Sequence, residues 1–246
     1  MLIPLRNYSN YSICESNIKI DDLVNFAEKG KLPAIALTDY KLLSGVLEFS
    51  IKCQKKGIQP IIGLDIDYLS VLKNYSRLTI LSKNENGFKN LNILSTKINT
   101  ENDFQLSLRN INDFSDGNIL ILGGLYSYFE DLNINKTNLK VILDEINTLK
   151  KTFNSDIFFE LDENLDNKLL NEISQKCNIN CFLSSFSFYK QDKDFDAIKI
   201  LHCLKNGEYL QNTSFKLKNN YSLTQPHQNT GKFSQLIHIQ VYLYIF

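Results

Sequence analysis

The sequence predicts an α/β fold with a mostly parallel sheet or barrel. Short apolar, strand-like runs alternate with helix-like segments along nearly the whole chain. The helical segments are long enough to cross between parallel strands, which a tight turn cannot do. Gly30 and Gly57 stand where helical patterns stop, and Pro33 and Pro60 stand where extended runs begin.

In chain order, residues 2–5 read as a short buried strand. Residues 21–29 carry Leu23, Val24, Phe26 and Ala27 at helical spacing, and a strand follows at 34–38. A helix is expected at 46–55 and a strand from Pro60 through Gly63 to Tyr68. Residues 77–81 alternate as a strand should, and 86–98 are amphipathic. A strand at 118–122 is closed by Gly123-Gly124. The remaining expectations are helices at 138–153, 165–176 and 195–204, with strands at 157–161 and 181–184. In such folds useful groups sit on loops at the carboxyl ends of strands. Those places are after Leu5, after Leu37, at 64–67, around Arg77, after Leu122 and after Leu183.

Composition narrows the function classes. The 246 residues suffice for a sizeable core, and 43% hydrophobic with 22% charged residues is ordinary for a globular protein. A formal net charge of zero gives no sign of a stand-alone nucleic-acid binder. No signal-peptide pattern and no apolar run of membrane-spanning length is present, so the expectation is a cytoplasmic protein with no membrane contact. The five cysteines are odd in number and irregularly spaced, which argues against a disulfide framework. Cys177 and Cys181 have no second pair to complete a zinc clip and read as structural thiols.

Several ordered blocks carry a family resemblance. They are Leu5-Arg6-Asn7-Tyr8-Ser9-Asn10-Tyr11-Ser12, Leu32-Pro33-Ala34-Ile35-Ala36-Leu37-Thr38-Asp39-Tyr40, Leu43-Ser44-Gly45-Val46-Leu47-Glu48-Phe49 and Lys56-Gly57-Ile58-Gln59-Pro60-Ile61-Ile62-Gly63. Further on come Leu78-Thr79-Ile80-Leu81-Ser82-Lys83, Asn86-Gly87-Phe88-Lys89-Asn90-Leu91, residues 117–124, Phe158-Phe159-Glu160-Leu161 and Asp194-Phe195-Asp196-Ala197. In order and spacing the set resembles the PHP domain at the amino terminus of bacterial replicative DNA polymerase III alpha subunits. The resemblance implies a distorted barrel of about seven strands surrounded by helices. It places the PHP domain at 1–210, an exit segment toward the polymerase body at 211–228, and a tail outside the family pattern at 229–246.

An active PHP site holds two or three metal ions, which acidify bound water and polarise a phosphoryl oxygen. It needs His, Asp, Glu or Cys at nearly every ligand position. By resemblance the first motif's two histidines fall on Arg6 and Tyr8, and the second motif's Asp–His pair on Asp39 and Tyr40. The next acidic ligand falls on Asp65, a histidine on Arg77, a cysteine or histidine on Gly124, and the last Asp and His on Phe186 and Phe188. Only Asp39 and Asp65 keep a ligating side chain, so these positions are vestigial and no cofactor or metal is expected. None of the three histidines, His202, His227 and His238, falls at a ligand position. Arg6 and Arg77 are expected to replace the metals electrostatically by pairing with the carboxylates; the alternative is that both point to solvent.

Other residues read more plainly. Ser9 and Ser12 have no histidine partner nearby and suit a turn or helix entry. Asp67 shares a strand face with Asp65 and reads as solvated. Gly123-Gly124 suits a tight strand exit, His202 a packing or surface role, and Lys52, Lys55 and Lys56 a solvated helix face. The resemblance implies a structural and docking module in DNA replication without phosphoesterase activity. Its implied partners are the remainder of the alpha subunit and the proofreading exonuclease subunit, with DNA reached only through the holoenzyme. DNA-directed DNA polymerase activity, a nucleotidyltransferase reaction, belongs to the parent class, and its acidic triad is absent from these residues. The alternatives are a metal-dependent phosphoesterase of the histidinol-phosphatase type and a truncated or frame-shifted gene remnant.

Overall fold

The structure is a computed structural model that describes residues 3–127, 129, 136–162, 165–184, 186–215 and 221–223. It is mixed α/β, as expected. Seven strands are joined in one hydrogen-bonded sheet and a further pair forms a small sheet. The elements are β1 (Arg6–Asn7), α1 (Ile20–Lys29), β2 (Ala34–Leu37), α2 (Val46–Lys55), β3 (Gln59–Leu69), β4 (Tyr75–Ser82), α3 (Glu85–Thr100), β5 (Leu106–Ser107), β6 (Asn118–Gly123), α4 (Lys136–Thr152), β7 (Ile157–Asp162), α5 (Lys168–Cys177), β8 (Cys181–Ser184), β9 (Phe186–Ser187) and α6 (Phe195–Asn206). The chain forms two compact units, one from residues 3–62 with 186–223 and one from 63–184.

In the first unit β1 pairs in parallel with β9, Arg6 opposite Phe186 and Asn7 opposite Ser187. Asn7 ties β1 to β2: its backbone N–H donates to Thr38 Oγ1 at 3.0 Å and its amide to the Ala36 carbonyl at 2.9 Å. The expected strand at 2–5 therefore begins later, at Arg6. Pro4 and Leu5 lie outside it, the Pro4 carbonyl accepting the Ala36 N–H at 3.1 Å, and Leu2 lies outside the described residues. β2 pairs in parallel with residues 59–62. Helix α1 buries Ile20, Leu23, Val24 and Ala27, the stripe its spacing predicts. Lys52 is not simply solvated. Its ammonium lies 2.6 Å from Asp21 and 2.7 Å from Glu48, and Lys56 reaches Glu28 at 2.8 Å, so α2 is stitched to α1. Exposed pairs of this kind contribute about 0.2–1 kcal/mol each.

In the second unit β4 runs antiparallel to both β3 and β6, while β6, β7 and β8 run parallel. The reversal follows from the connection: only residues 70–74 separate β3 from β4, too few for a crossover. Helix α3 is capped by Asn84, whose side chain accepts the Gly87 N–H at 2.9 Å. A Cβ at Gly87 would stand 2.0 Å from the Gly117 carbonyl oxygen, so the helix start and the turn before β6 meet backbone to backbone. Helix α5 starts at Lys168 rather than 165 because Asn167 turns back, its amide donating to the Asp162 carbonyl at 2.7 Å.

Among the described residues the cysteines are unpaired thiols. Burial pushes the Cys53 thiol up to about 12, and pushes Cys177 and Cys181 up as well. A thiol so placed is neutral near pH 8 and a poor nucleophile. Cys53 is therefore expected to resist a thiol reagent in the native protein and to react only in denaturant. Mass mapping of labelled peptides reads this, and native-state labelling of Cys53 as fast as that of the half-buried Cys14 would contradict it.

Candidate functional site

Each unit holds some of the positions that the resemblance assigns to ligands: Arg6, Tyr8, Asp39, Tyr40, Phe186 and Phe188 in the first, and Asp65, Arg77 and Gly124 in the second. In the first, Arg6 is 1% exposed although it carries a guanidinium. Its Nε–H donates to the Tyr8 hydroxyl at 3.0 Å, and its Cζ lies 4.6 Å from the centre of the Phe186 ring. Tyr8 stacks on Phe188 with centroids 4.5 Å apart and planes 13° from parallel. Tyr221 closes the cluster edge-on, 6.0 Å from Phe186 and 6.2 Å from Phe188. A guanidinium over an aromatic face gains cation–π attraction of about 2 kcal/mol or more when desolvated. The strand pairing makes this possible, since Arg6 sits directly opposite Phe186 in register. Tyr221 arrives from the expected exit segment. Its carbonyl accepts the Phe188 N–H at 3.0 Å, and Leu223 N–H donates to the Tyr189 carbonyl at 2.8 Å. The rest of that segment, 216–220 and 224–228, and the expected tail at 229–246 with His227 and His238 lie outside the described residues.

Asp39, also 1% exposed, lies just past the end of β2. Its Oδ1 accepts the Ser9 N–H at 2.6 Å and the Ser12 hydroxyl at 2.6 Å, and its Oδ2 accepts the Ser9 hydroxyl at 2.7 Å. Ser12 Oγ in turn accepts the Tyr40 N–H at 3.0 Å. Burial holds the Asp39 carboxyl above the usual carboxylate range, and the bonds from Ser12 and Ser9 pull it part of the way back. Ser9 and Ser12 do form a turn, Ser12 N–H donating to the Ser9 carbonyl at 2.9 Å, but their hydroxyls serve Asp39. The Lys41 and Lys205 ammonium groups lie 4.7 and 4.9 Å from the Tyr40 ring centre.

In the second unit Asp65 is fully buried. It accepts the Thr79 hydroxyl at 3.0 Å and faces the Arg77 guanidinium at 3.7 Å. Arg77 also lies 3.9 Å from Asp67, so Asp67 is half-buried beside a cation rather than simply solvated. Arg77 does not point freely to solvent; its side chain is 12% exposed. The Gly123-Gly124 exit is as tight as expected, with φ of 96° and 67°. A Cβ at Gly123 would stand 2.6 Å from the Glu160 carbonyl oxygen. The sharp turn continues to Tyr126, whose ring lies 4.6 Å from Arg77 Cζ and whose carbonyl accepts the Arg77 N–H at 3.0 Å. The loop at Gly124 thus seats an arginine.

Thr79, Tyr126 and Tyr221 are the residues that sequence reasoning missed. Thr79 had a usable signal, since β4 alternation puts it on the same face as Arg77. Tyr126 and Tyr221 had none, because loop aromatics carry no periodicity. His202 lies in a polar cluster of its own, 2.9 Å from Asn206 Nδ2 and 3.3 Å from Ser214 Oγ.

With this arrangement in view, the class is defined. The PHP domain family model matches residues 4–164, and the chain belongs to that family. Across 95% of its length it is 29% identical to the DNA polymerase III subunit alpha of Buchnera aphidicola, and it is 28% identical over 83% of its length to that of Borreliella burgdorferi. It spans only 21% and 19% of those two relatives. An amidohydrolase from Chromobacterium violaceum shares the fold at a TM-score of 0.50 and 10% identity, covering 81% of this chain and 96% of that one. Among the described residues no three His, Cys, Asp or Glu side chains are grouped to hold a metal ion. The oxygens of Asp39 are occupied by serine donors, and guanidinium groups stand at two ligand positions. Serine hydroxyls and guanidinium groups are not among the side chains that ligate such ions.

Proposed function

We propose that this chain is a structural and docking module of a DNA polymerase III alpha subunit, without phosphoesterase activity of its own. The supporting observation is Arg6, a buried guanidinium seated against Phe186 and Tyr8 where the resemblance puts a metal-binding histidine. A fixed cation there and another at Arg77 supply the positive charge that metal ions would bring, but neither carries a water to activate. Asp39 and Asp65 become internal hydrogen-bond acceptors. Polymerase chemistry then resides in the rest of the subunit, DNA is reached through the holoenzyme, and the proofreading exonuclease subunit is the docking partner, all in the cytoplasm. Among the described residues no helix is long and apolar enough to cross a membrane.

Hydrolysis of a chromogenic phosphate ester, with manganese or zinc added, tests the reading. The expected rate equals that of buffer plus metal. Added metal is also expected to leave the melting temperature unchanged, because a ligand that binds only the folded state must raise it. Metal-dependent turnover that disappears in Asp39→Asn would favour the phosphoesterase instead. Co-purification with the exonuclease subunit reads the docking half of the proposal.

A further inference from the structure

Helix α6 carries an apolar stripe that is exposed over most of its length. Ala197, Ile200, Leu201 and Leu204 recur at helical spacing, while Ile198 and Cys203 face inward and are buried. Ile200 is 45% and Leu204 70% exposed, and the turn that follows adds Tyr209 at 79% and Leu210 at 46%. That turn is held in place. Glu208 N–H donates to the Cys203 carbonyl at 2.9 Å, and the Glu208 carboxylate accepts the Thr213 hydroxyl at 2.9 Å and the Ser214 N–H at 2.8 Å. Phe215 then packs 5.7 Å from Phe195 on the helix itself. Large apolar side chains fixed on a helix and a pinned turn have little rotational freedom left to lose on binding, which suits them to anchor an interface.

The PHP family match stops at residue 164, before α6, whereas the alignment with the Buchnera polymerase subunit covers 95% of this chain. The stripe therefore lies in the part shared with polymerase subunits rather than in the part matched by the family model. Those subunits carry about four-fifths of their length beyond the aligned region. We infer that the Ile200–Leu204–Tyr209–Leu210 surface is the seam onto which the rest of a polymerase alpha subunit packs, an inference that rests on the function proposed above. These four residues supply the apolar centre of such a seam, and the polar residues around them its rim.

The 246-residue chain can be mixed with the Buchnera alpha subunit lacking its aligned fifth, and binding followed by calorimetry and sedimentation. The unaltered chain is expected to form a one-to-one complex. Ile200→Asp and Leu204→Asp should each weaken it by about tenfold or more at an unchanged melting temperature. Leu47→Asp, at a residue 72% exposed on α2, should leave it intact. Binding that survives Leu204→Asp, or that Leu47→Asp weakens equally, overturns the seam but leaves the polymerase reading standing. An unaltered chain that does not bind, when circular dichroism shows the shortened subunit to be folded, overturns both. Self-association abolished by Leu204→Asp would make a second copy of this chain the occupant, and also overturns it.

Discussion

Arg6→Ala is expected to lower the unfolding free energy by about 4 kcal/mol, in the range for truncating a large buried side chain. Several losses add up at this position. The Tyr8 hydroxyl loses the Arg6 Nε–H, the Phe186 ring loses the cation over its face, and a cavity opens where the side chain was. In a domain of this size the melting temperature should fall by about 10 °C. Arg6→Met separates the causes, because it keeps most of the volume and removes the charge. If packing dominates, methionine recovers more than half of the loss, since buried charges can often be replaced by apolar groups at little cost. If methionine is as damaging as alanine, the polar contacts of the guanidinium dominate. A melting temperature unchanged in Arg6→Ala would remove the support on which the proposed function rests.

Asp39→Ala should cost about 3 kcal/mol, because it leaves the Ser9 N–H and two serine hydroxyls buried without an acceptor. Asp39→Asn should behave quite differently. Both short bonds to Oδ1 can be kept by the amide oxygen, and Ser9 Oγ can accept from the new NH₂ group. Asparagine is therefore expected to stay within about 1 kcal/mol of the parent at pH 7. The pH dependence follows from the raised carboxyl. Above the ordinary value of 3.8 the folded chain still holds a proton that the unfolded chain has released. The contribution of Asp39 is thus fully present at lower pH and is lost as pH rises through its folded value. Asp39→Asn should flatten that slope in a denaturant titration from acid to neutral pH. A loss in the asparagine variant as large as in alanine would mean that the charge, not the acceptor geometry, is what the fold requires.

Much of the fold was legible because long elements write their period into the chain. The α1 stripe of Leu23, Val24 and Ala27 and the run from Ile61 to Tyr68 are examples, and both fall where the spacing put them. The direction of β4 was not legible from alternation, which is the same for either direction; only the brevity of the 70–74 connection encoded it. The pairing of β1 with β9 was invisible, since two-residue strands have no period and the partners are far apart in sequence. At the site, resemblance named Arg6, Asp39, Asp65 and Arg77 but said nothing of how they are held. Ser9 and Ser12 looked like turn residues because their bond to Asp39 exists only once β2 has brought that residue alongside. Lys52 looked solvated because Asp21, one of its two partners, belongs to another helix.

The β1–β9 pairing has a consequence for synthesis on the ribosome. The described residues of one unit all fall within 63–184, a stretch that can collapse as it emerges, whereas the other unit draws its strands from both flanks of that stretch. Arg6 must wait, unsheltered, until Phe186 and then Tyr221 have been translated. A chaperone that shields exposed nascent segments would therefore engage the early residues longest, and a stall before codon 221 would leave a finished centre with an unassembled flank.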